Sequence, residues 1–222
     1  MSARLRHDLL VTAVLLALLL AWDLSGWDLA VIRTVGTPAG FALRDAWITR
    51  ELLHEGGRML GWTVMLALLV NIRWPLAPIA VPARRERVRA VLLTLVCLLV
   101  IPTLKRVSLT SCPWDLAEFG GAAQALHVSH WRLGVPDGGP GRCFPSGHAT
   151  AAFAFLSGYF MLRGPRPQAA RWWLASVLVV GTLFGWAQMA RGAHYPSHTL
   201  WSAWLCWLVC VLGAAIRRDP AR

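Results

Sequence analysis

Charged residues are scarce in this chain: Asp, Glu, Lys and Arg together make up 15% of its 222 residues. Soluble domains carry about 25% charged residues, so the composition excludes an ordinary soluble fold. Hydrophobic residues make up 56% of the chain, and 13 residues are Trp. Since about 20 mainly apolar residues are enough to cross a bilayer, the composition indicates an integral membrane protein.

Internal repeats are also lacking, and the apolar stretches are spread along the whole chain. Six stretches are long and apolar enough, or nearly so, to span a membrane; they lie at about 8–24, 58–74, 88–104, 146–163, 171–189 and 197–216. We therefore predict an all-α fold, a six-transmembrane-helix bundle that forms one integral membrane domain over residues 1–222. Segment 46–55 has apolar and charged residues at helical spacing, which predicts a short interfacial helix or, equally well, a solvated connecting helix.

The first apolar stretch lacks the cleavage site of a signal peptide. Arg4 and Arg6 precede it, but Ala21–Leu24 show no small-x-small pattern after it. We therefore expect an uncleaved first span.

Acidic residues are few, and the net charge of +11 is unevenly distributed. The N-terminus, the second and fourth connecting segments and the C-terminus carry 13 of the 22 Lys and Arg residues but three of the 11 Asp and Glu residues, so they hold +10 of the charge. The positive-inside rule explains this asymmetry without a nucleic-acid partner. Both termini are then cytoplasmic in a bacterial-type inner (plasma) membrane, and the first, third and fifth connecting segments face outward.

One short segment, Cys143–His148, joins a Gly- and Pro-rich loop to an apolar helix that we expect to begin near Ala149. Ser146 is a favoured N-cap residue, and the first amides of a helix lack partners within it and attract anions. His148 beside them can exchange a proton near neutral pH. The segment favours phosphate chemistry, although a plain helix start with an incidental His fits the same residues.

Polar side chains gather at three points that the topology places on the outward face. They begin at Lys105, at Pro145 and at Arg191. Ionisable groups near membrane depth are costly and are usually functional, so we expect the three clusters to form one site.

These clusters resemble the motifs of the type 2 phosphatidic acid phosphatase superfamily, integral membrane lipid phosphatases with a six-helix core. The family pattern is Lys-x6-Arg-Pro, then Pro-Ser-Gly-His, then Ser-Arg-x5-His-x3-Asp. The resemblance covers about residues 100–215, the expected catalytic core. In this chain the blocks read Lys105-x6-Cys112-Pro113, Pro145–His148 and Ala187-Gln188-x5-His194-x3-His198.

Three positions depart from the family pattern. Cys112 and Gln188 stand where the family has Arg, and His198 stands where it has Asp. Arg191 lies three residues after Gln188 and would share its helix face, so we expect Arg191 to contact the same phosphate.

The resemblance implies a metal-independent lipid phosphatase without a cofactor. Such an enzyme would act on a phosphomonoester or pyrophosphate of a lipid at the outer membrane face. His194 would attack phosphorus to give a phosphohistidine, and His148 would act as acid and then as base. The expected substrate-binding residues are Lys105, Ser146, Gly147 and Arg191.

Two residues are candidates to orient the His194 imidazole. His198 lies four residues further along, and Asp115 supplies a carboxylate from the outward loop. That loop also holds Cys112 and Cys143, and an oxidising compartment permits a disulfide between them, although two free thiols fit the same sequence. Cys97, Cys206 and Cys210 lie within predicted spans and are expected to be small buried hydrophobes.

Three other functions fit the same residues. His194 and His198, with His148 as a third ligand, are compatible with a metal site. The phosphohistidine is equally compatible with transfer of phosphate to a second lipid, and a site with three altered positions is compatible with a non-catalytic binding protein. Phosphatidic acid, phosphatidylglycerol phosphate, undecaprenyl pyrophosphate and lipid A phosphates all suit an outward-facing site.

The charge asymmetry makes a prediction about topology. A reporter fused at residue 125 should lie on the opposite side of the membrane from a reporter fused after the C-terminus, because the basic segments stay in the cytoplasm. Paired β-lactamase and fluorescent-protein fusions measure the side. Both reporters on the same side would contradict the topology.

Overall fold

The computed structural model describes residues 1–76, 81–121, 125–132 and 134–216. Within this part of the chain the fold is built mainly from helices. The α-helices are α1 (Ala3–Ser25), α2 (Trp27–Ile32), α3 (Gly56–Arg73), α4 (Arg84–Val107), α5 (Gly147–Phe153), α6 (Leu156–Leu162), α7 (Pro167–Ala190) and α8 (Pro196–Ala215). Residues 217–222, which contribute to the charge asymmetry above, lie outside the described part.

The all-α membrane bundle is confirmed, and helices occupy all six predicted spans. Four of them, α1, α4, α7 and α8, are long and apolar enough to cross a membrane by themselves. The predicted spans 58–74 and 146–163 correspond to α3 and to the consecutive helices α5 and α6. That all six cross the membrane stays a prediction, as does the single-domain assignment.

A break at residues 154 and 155 divides the predicted fourth span. The Phe155 carbonyl accepts a hydrogen bond of 2.7 Å from the indole Nε1 of Trp173 on α7. An ideal Cβ on Gly158 would lie 2.4 Å from the same Nε1, so α6 approaches α7 closely only because this residue is glycine. The break therefore follows from a contact with a helix that lies later in the chain.

Segment 46–55 contains the short helix predicted after the first span. Residues Ile48–Glu55 form a π-helix that runs directly into α3. The two helices are continuous because Gly56 keeps a helical backbone conformation. A small antiparallel hairpin of β1 (Gly36–Thr37) and β2 (Gly40–Phe41) precedes it and was not predicted.

Two hydrophobic clusters hold the bundle and its loops. The larger lies among α3 to α8 and includes the free, buried Cys97, Cys206 and Cys210, as predicted. The smaller contains Ile32, Phe41, Leu116, Phe119, Ala125 and Tyr195. This second cluster packs the hairpin and the long loop over the end of the bundle where the motif residues lie.

Tryptophan donors attach α1 to α8. The indole nitrogens of Trp204 and Trp207 donate to the carbonyl and hydroxyl oxygens of Thr12, at 3.1 and 2.9 Å. Near the other end of α1, Trp201 Nε1 donates to Asp23 at 2.8 Å. Such bonds satisfy polar atoms that would otherwise face hydrocarbon, so α1 is fixed along its length.

Candidate active site

The structure brings the three motif blocks together at one end of the bundle. Lys105 lies in the last turn of α4, and its side chain passes beside the start of α5, where an ideal Cβ on Gly147 would lie 4.0 Å from Lys105 Cδ. His194 lies in the short connection between α7 and α8. Lys105 and His148 are close enough to His194 for their charges to lower its pKa.

The His194 imidazole is buried and neutral. Its exposed fraction is 4%, and burial, as the largest cause, holds its pKa well below the ordinary value. Its Nδ1 lies 3.4 Å from Nδ1 of His198 and 3.5 Å from Sγ of Cys143. These contacts engage Nδ1 and leave Nε2 as the ring nitrogen that has no hydrogen bond among the described residues.

A pair of bonds joins the start of α5 to the first turn of α8. The Ser146 amide donates to the His198 carbonyl at 3.1 Å. The Ser202 hydroxyl lies within 2.8 Å of the Ser146 carbonyl and 2.9 Å of the His198 carbonyl. Because His194 contacts His198, this joint also sets the distance between the Pro145–His148 block and the His194 ring.

The hydrogen bonds of Ser146 differ from those predicted. It is the N-cap of α5, as expected, but its hydroxyl makes no capping bond. Its amide, predicted as a phosphate donor, is already bound to His198. Its Oγ is buried and has no partner among the described residues, so the hydroxyl replaces the amide as the free donor.

His148 faces the π-helix at residues 48–55. Its Nε2 lies 3.0 Å from the Leu53 carbonyl oxygen, and its ring stacks on His54 with 4.4 Å between the centroids. The Phe184 ring of α7 also lies near it, with 5.1 Å between the centroids. No chemical role was predicted for this segment from the sequence. The adjacent His54 and Glu55, whose side chains lie 3.0 Å apart, were a signal of polar surroundings.

Gln188 and Arg191 are held in different ways. Gln188 is buried, and its Nε2 has no partner among the described residues. Arg191 is half-buried at the end of α7, and its Nε donates to the Arg44 carbonyl at 2.8 Å. The structure therefore places a neutral donor without a partner among the described residues, the Gln188 amide, at the position of the family's Arg. The Arg191 guanidinium is held by the loop that contains Arg44.

Asp115 makes no hydrogen bond to His194 among the described residues. Its carboxylate accepts the Cys112 amide at 3.2 Å, within the short helical turn Pro113–Asp115. Burial raises the pKa of this carboxyl. His198 is the candidate that contacts His194, and which of the two residues orients the imidazole stays a prediction.

Two other aspartates, which sequence reasoning missed, hold the first turns of α8. Asp28 accepts the Ser197 amide at 2.9 Å and also contacts its hydroxyl. Asp23 accepts Trp201 Nε1 at 2.8 Å and lies 3.3 Å from His130 Nε2. The signal was present, since carboxylates at the end of an apolar span are costly without partners.

The structure joins Cys112 and Cys143 by a disulfide bond, with 5.1 Å between their Cα atoms. The bond connects the loop after Lys105 to the segment before Pro145. Cys112, Cys143 and His194 place their potential ligand atoms within 4.8 Å of one another. Sulfur atoms bonded to each other offer no thiolate, so these three residues do not fit a metal ion. The site considered above, with His194, His198 and His148 as ligands, would require His148 Nε2 to leave the Leu53 carbonyl.

Comparisons with known proteins give two findings. A family profile described as the PAP2 superfamily matches residues 86–221, more than half of the chain. No curated protein matches it. A solved structure, the crystal structure of the first transmembrane PAP2-type phosphatidylglycerolphosphate phosphatase from Bacillus subtilis, matches with a TM-score of 0.57 and 17% identity over 100% of both chains. At this identity the likeness shows a shared fold.

Breaking the disulfide bond should lower activity. Cys143→Ser, or reduction of the wild type, should lower phosphate release while the bundle stays folded, because the bond positions Lys105 against the start of α5. Loss of the closed loop should also lower stability by roughly 3–4 kcal/mol. Cys210→Ala, which removes a free cysteine from α8, is the matched control.

Non-reduced peptide mass spectrometry should show Cys112 linked to Cys143. Reduction should have no further effect on Cys143→Ser. Full alkylation of both thiols in the unreduced native protein would contradict the bond.

Proposed function

Because the chain belongs to the PAP2 superfamily, as its three motif blocks predicted, we propose that it is a lipid phosphatase working through a phosphohistidine. The observation that carries this proposal is the neutral, buried His194, whose Nδ1 contacts His198 and which lies within electrostatic reach of Lys105 and His148. A nucleophilic His needs its lone pair free and its tautomer fixed. Burial keeps the imidazole neutral, so that its lone pair is free, and the Nδ1 contact fixes its tautomer.

The first step transfers the phosphoryl group to His194. Nε2 attacks phosphorus, a P–N bond forms, and the P–O bond to the lipid breaks. His148 gives its proton to the leaving lipid oxygen. In the structure His148 Nε2 lies 3.0 Å from the Leu53 carbonyl oxygen. In this step it leaves that carbonyl and bonds to the leaving lipid oxygen.

The second step returns the enzyme to its starting state. His148, now neutral, accepts a proton from water, and the resulting hydroxide attacks phosphorus as the P–N bond breaks. The products are inorganic phosphate and a free His194. Water is excluded from the first step by the burial of the site and enters after the lipid leaves.

Charge stabilisation comes from one amine, one guanidinium and several neutral donors. Lys105 and Arg191 face charge that develops on the equatorial oxygens. The Ser146 hydroxyl and the amides of Gly147 and the following residues donate hydrogen bonds to the same oxygens. This set works without a metal ion, so activity should survive chelation.

We further propose that the site faces the outside of an inner membrane, as the charge asymmetry predicts. A lipid phosphomonoester or pyrophosphate whose headgroup reaches the outer leaflet fits such a site. A panel of phosphatidic acid, phosphatidylglycerol phosphate, undecaprenyl pyrophosphate and lipid A identifies the lipid by phosphate release from purified protein.

The catalytic residues make the next prediction. His194→Ala and His148→Ala should each lower the turnover number by at least about 100-fold, because proton transfer alone contributes about 10²–10⁴-fold. The control is His127→Gln, which changes an exposed His of the long loop between α4 and α5. Acid-labile ³²P on the wild type and none on His194→Ala would support the intermediate.

Three results would count against the proposal. Wild-type turnover in His194→Ala removes the phosphohistidine. Label that passes to a second lipid and not to free phosphate makes the protein a phosphotransferase. No turnover with any lipid of the panel favours a non-catalytic binding protein.

Arg191 and Gln188 can be separated by substitution. Arg191→Ala should cost more turnover than Gln188→Ala, since loss of a charged contact to a developing oxyanion costs on the order of 3 kcal/mol. Exchanging them, with Gln188→Arg and Arg191→Gln together, should restore part of the loss. A silent Arg191→Ala with an impaired Gln188→Ala would give the phosphate contact to the buried amide.

A further inference from the structure

A second polar cavity lies at the end of the bundle opposite the active site. Its volume is about 420 Å³, and its lining residues are Arg4, His7, Asp8, Tyr159, Arg163, Pro167 and Arg171. They come from the start of α1, the end of α6 and the start of α7. Helix α7 begins at this cavity and ends beside the His194 connection, about 36 Å away for 24 residues at 1.5 Å each.

The cavity combines one neutralised guanidinium with two free ones. Asp8 is buried and pairs with Arg163 at 2.8 Å, and the Arg163 guanidinium lies 4.3 Å from the Phe160 ring centroid. These contacts fix Arg163 in place. Arg4 and Arg171 have no ion pair or hydrogen bond with any other described residue, so the cavity presents uncompensated positive charge.

The groups present suit a phosphate ester. Guanidinium groups bind phosphate oxygens through paired hydrogen bonds. The start of α7 adds the positive end of a long helix, with Pro167 at its first position. The buried Asp8 carboxylate would repel an anion, but its pairing with Arg163 leaves the two other guanidinium groups to dominate.

The surroundings of the cavity favour a lipid over a soluble anion. Leu10 on α1 and Trp172 on α7 follow the lining residues Asp8 and Arg171 in the chain and are 62% and 70% exposed. In a membrane protein, exposed Leu faces acyl chains and exposed Trp lies at the headgroup level. A phosphate bound in the cavity would therefore have an apolar surface beside it on which acyl chains can lie.

We propose that this cavity binds the phosphate headgroup of an anionic phospholipid in the leaflet opposite the active site. Basic pockets between membrane helices are known to hold such headgroups. The bound lipid would link α1 to α7 and stabilise the bundle. The proposal does not depend on the phosphatase activity, because none of its residues belongs to the catalytic cluster.

The test compares lipid binding to the full-length protein and two double variants. Native mass spectrometry counts bound lipid, and thermal unfolding in detergent measures stabilisation, each with phosphatidylglycerol, with phosphatidylcholine and with inorganic phosphate. Arg4→Gln with Arg171→Gln removes the free guanidinium groups. Arg84→Gln with Arg85→Gln, exposed at the start of α4 on the same end, is the matched control.

Phosphatidylglycerol should bind and raise the unfolding midpoint of the wild type and of the control. The Arg4 and Arg171 variant should bind it roughly 25-fold more weakly, since each of the two basic residues near an anionic headgroup contributes about fivefold. Both changed residues are exposed and unpaired within the described chain, so the variant should fold. Wild-type binding should also weaken with salt, a readout that needs no variant.

Three results would overturn the assignment. Phosphatidylcholine that stabilises as well as phosphatidylglycerol would remove the headgroup specificity. Inorganic phosphate that reproduces the whole effect would make the ligand a soluble anion. A loss in the Arg84 and Arg85 variant equal to that in the cavity variant would reduce the effect to general surface charge.

Discussion

The candidate site depends on one joint, the bond from the Ser146 amide to the His198 carbonyl. It ties the first turn of α8 to the start of α5, and Ser202 reinforces it from within α8. The His194 ring contacts His198, and the Lys105 side chain passes beside Gly147. A shift at this joint would therefore move His194, His148 and Lys105 relative to one another, and the proposed phosphoryl transfer depends on that placement.

The site keeps fewer fixed charges than the family motif and relies more on burial. An imidazole replaces the usual carboxylate at His198, and an amide replaces a guanidinium at Gln188. Lys105, the one lysine of the chain, retains its place. In a buried site an uncharged donor keeps much of its value, because interactions with developing charge are stronger at low dielectric.

The first helix acts at both ends of the bundle, although it lies outside the residues that match the family profile. At one end Asp23 of α1 holds Trp201 of α8, and Asp28 of the adjoining α2 holds Ser197, three residues after His194. At the other end Asp8 holds Arg163 beside the basic cavity. Carboxylates within an apolar helix are tolerated because each has a partner on another helix, and each partner fixes α1 against the catalytic core.

The long apolar helices and the three motif blocks are readable in the amino-acid sequence, because a membrane-spanning segment must satisfy its backbone internally and is therefore an apolar run. The sequence also identified the pair Cys112 and Cys143 and the position of His198. The partner of the Ser146 amide and the contact of His148 with Leu53 are visible only in the folded chain. These partners are 52 and 95 residues distant in sequence, so no local pattern encodes them.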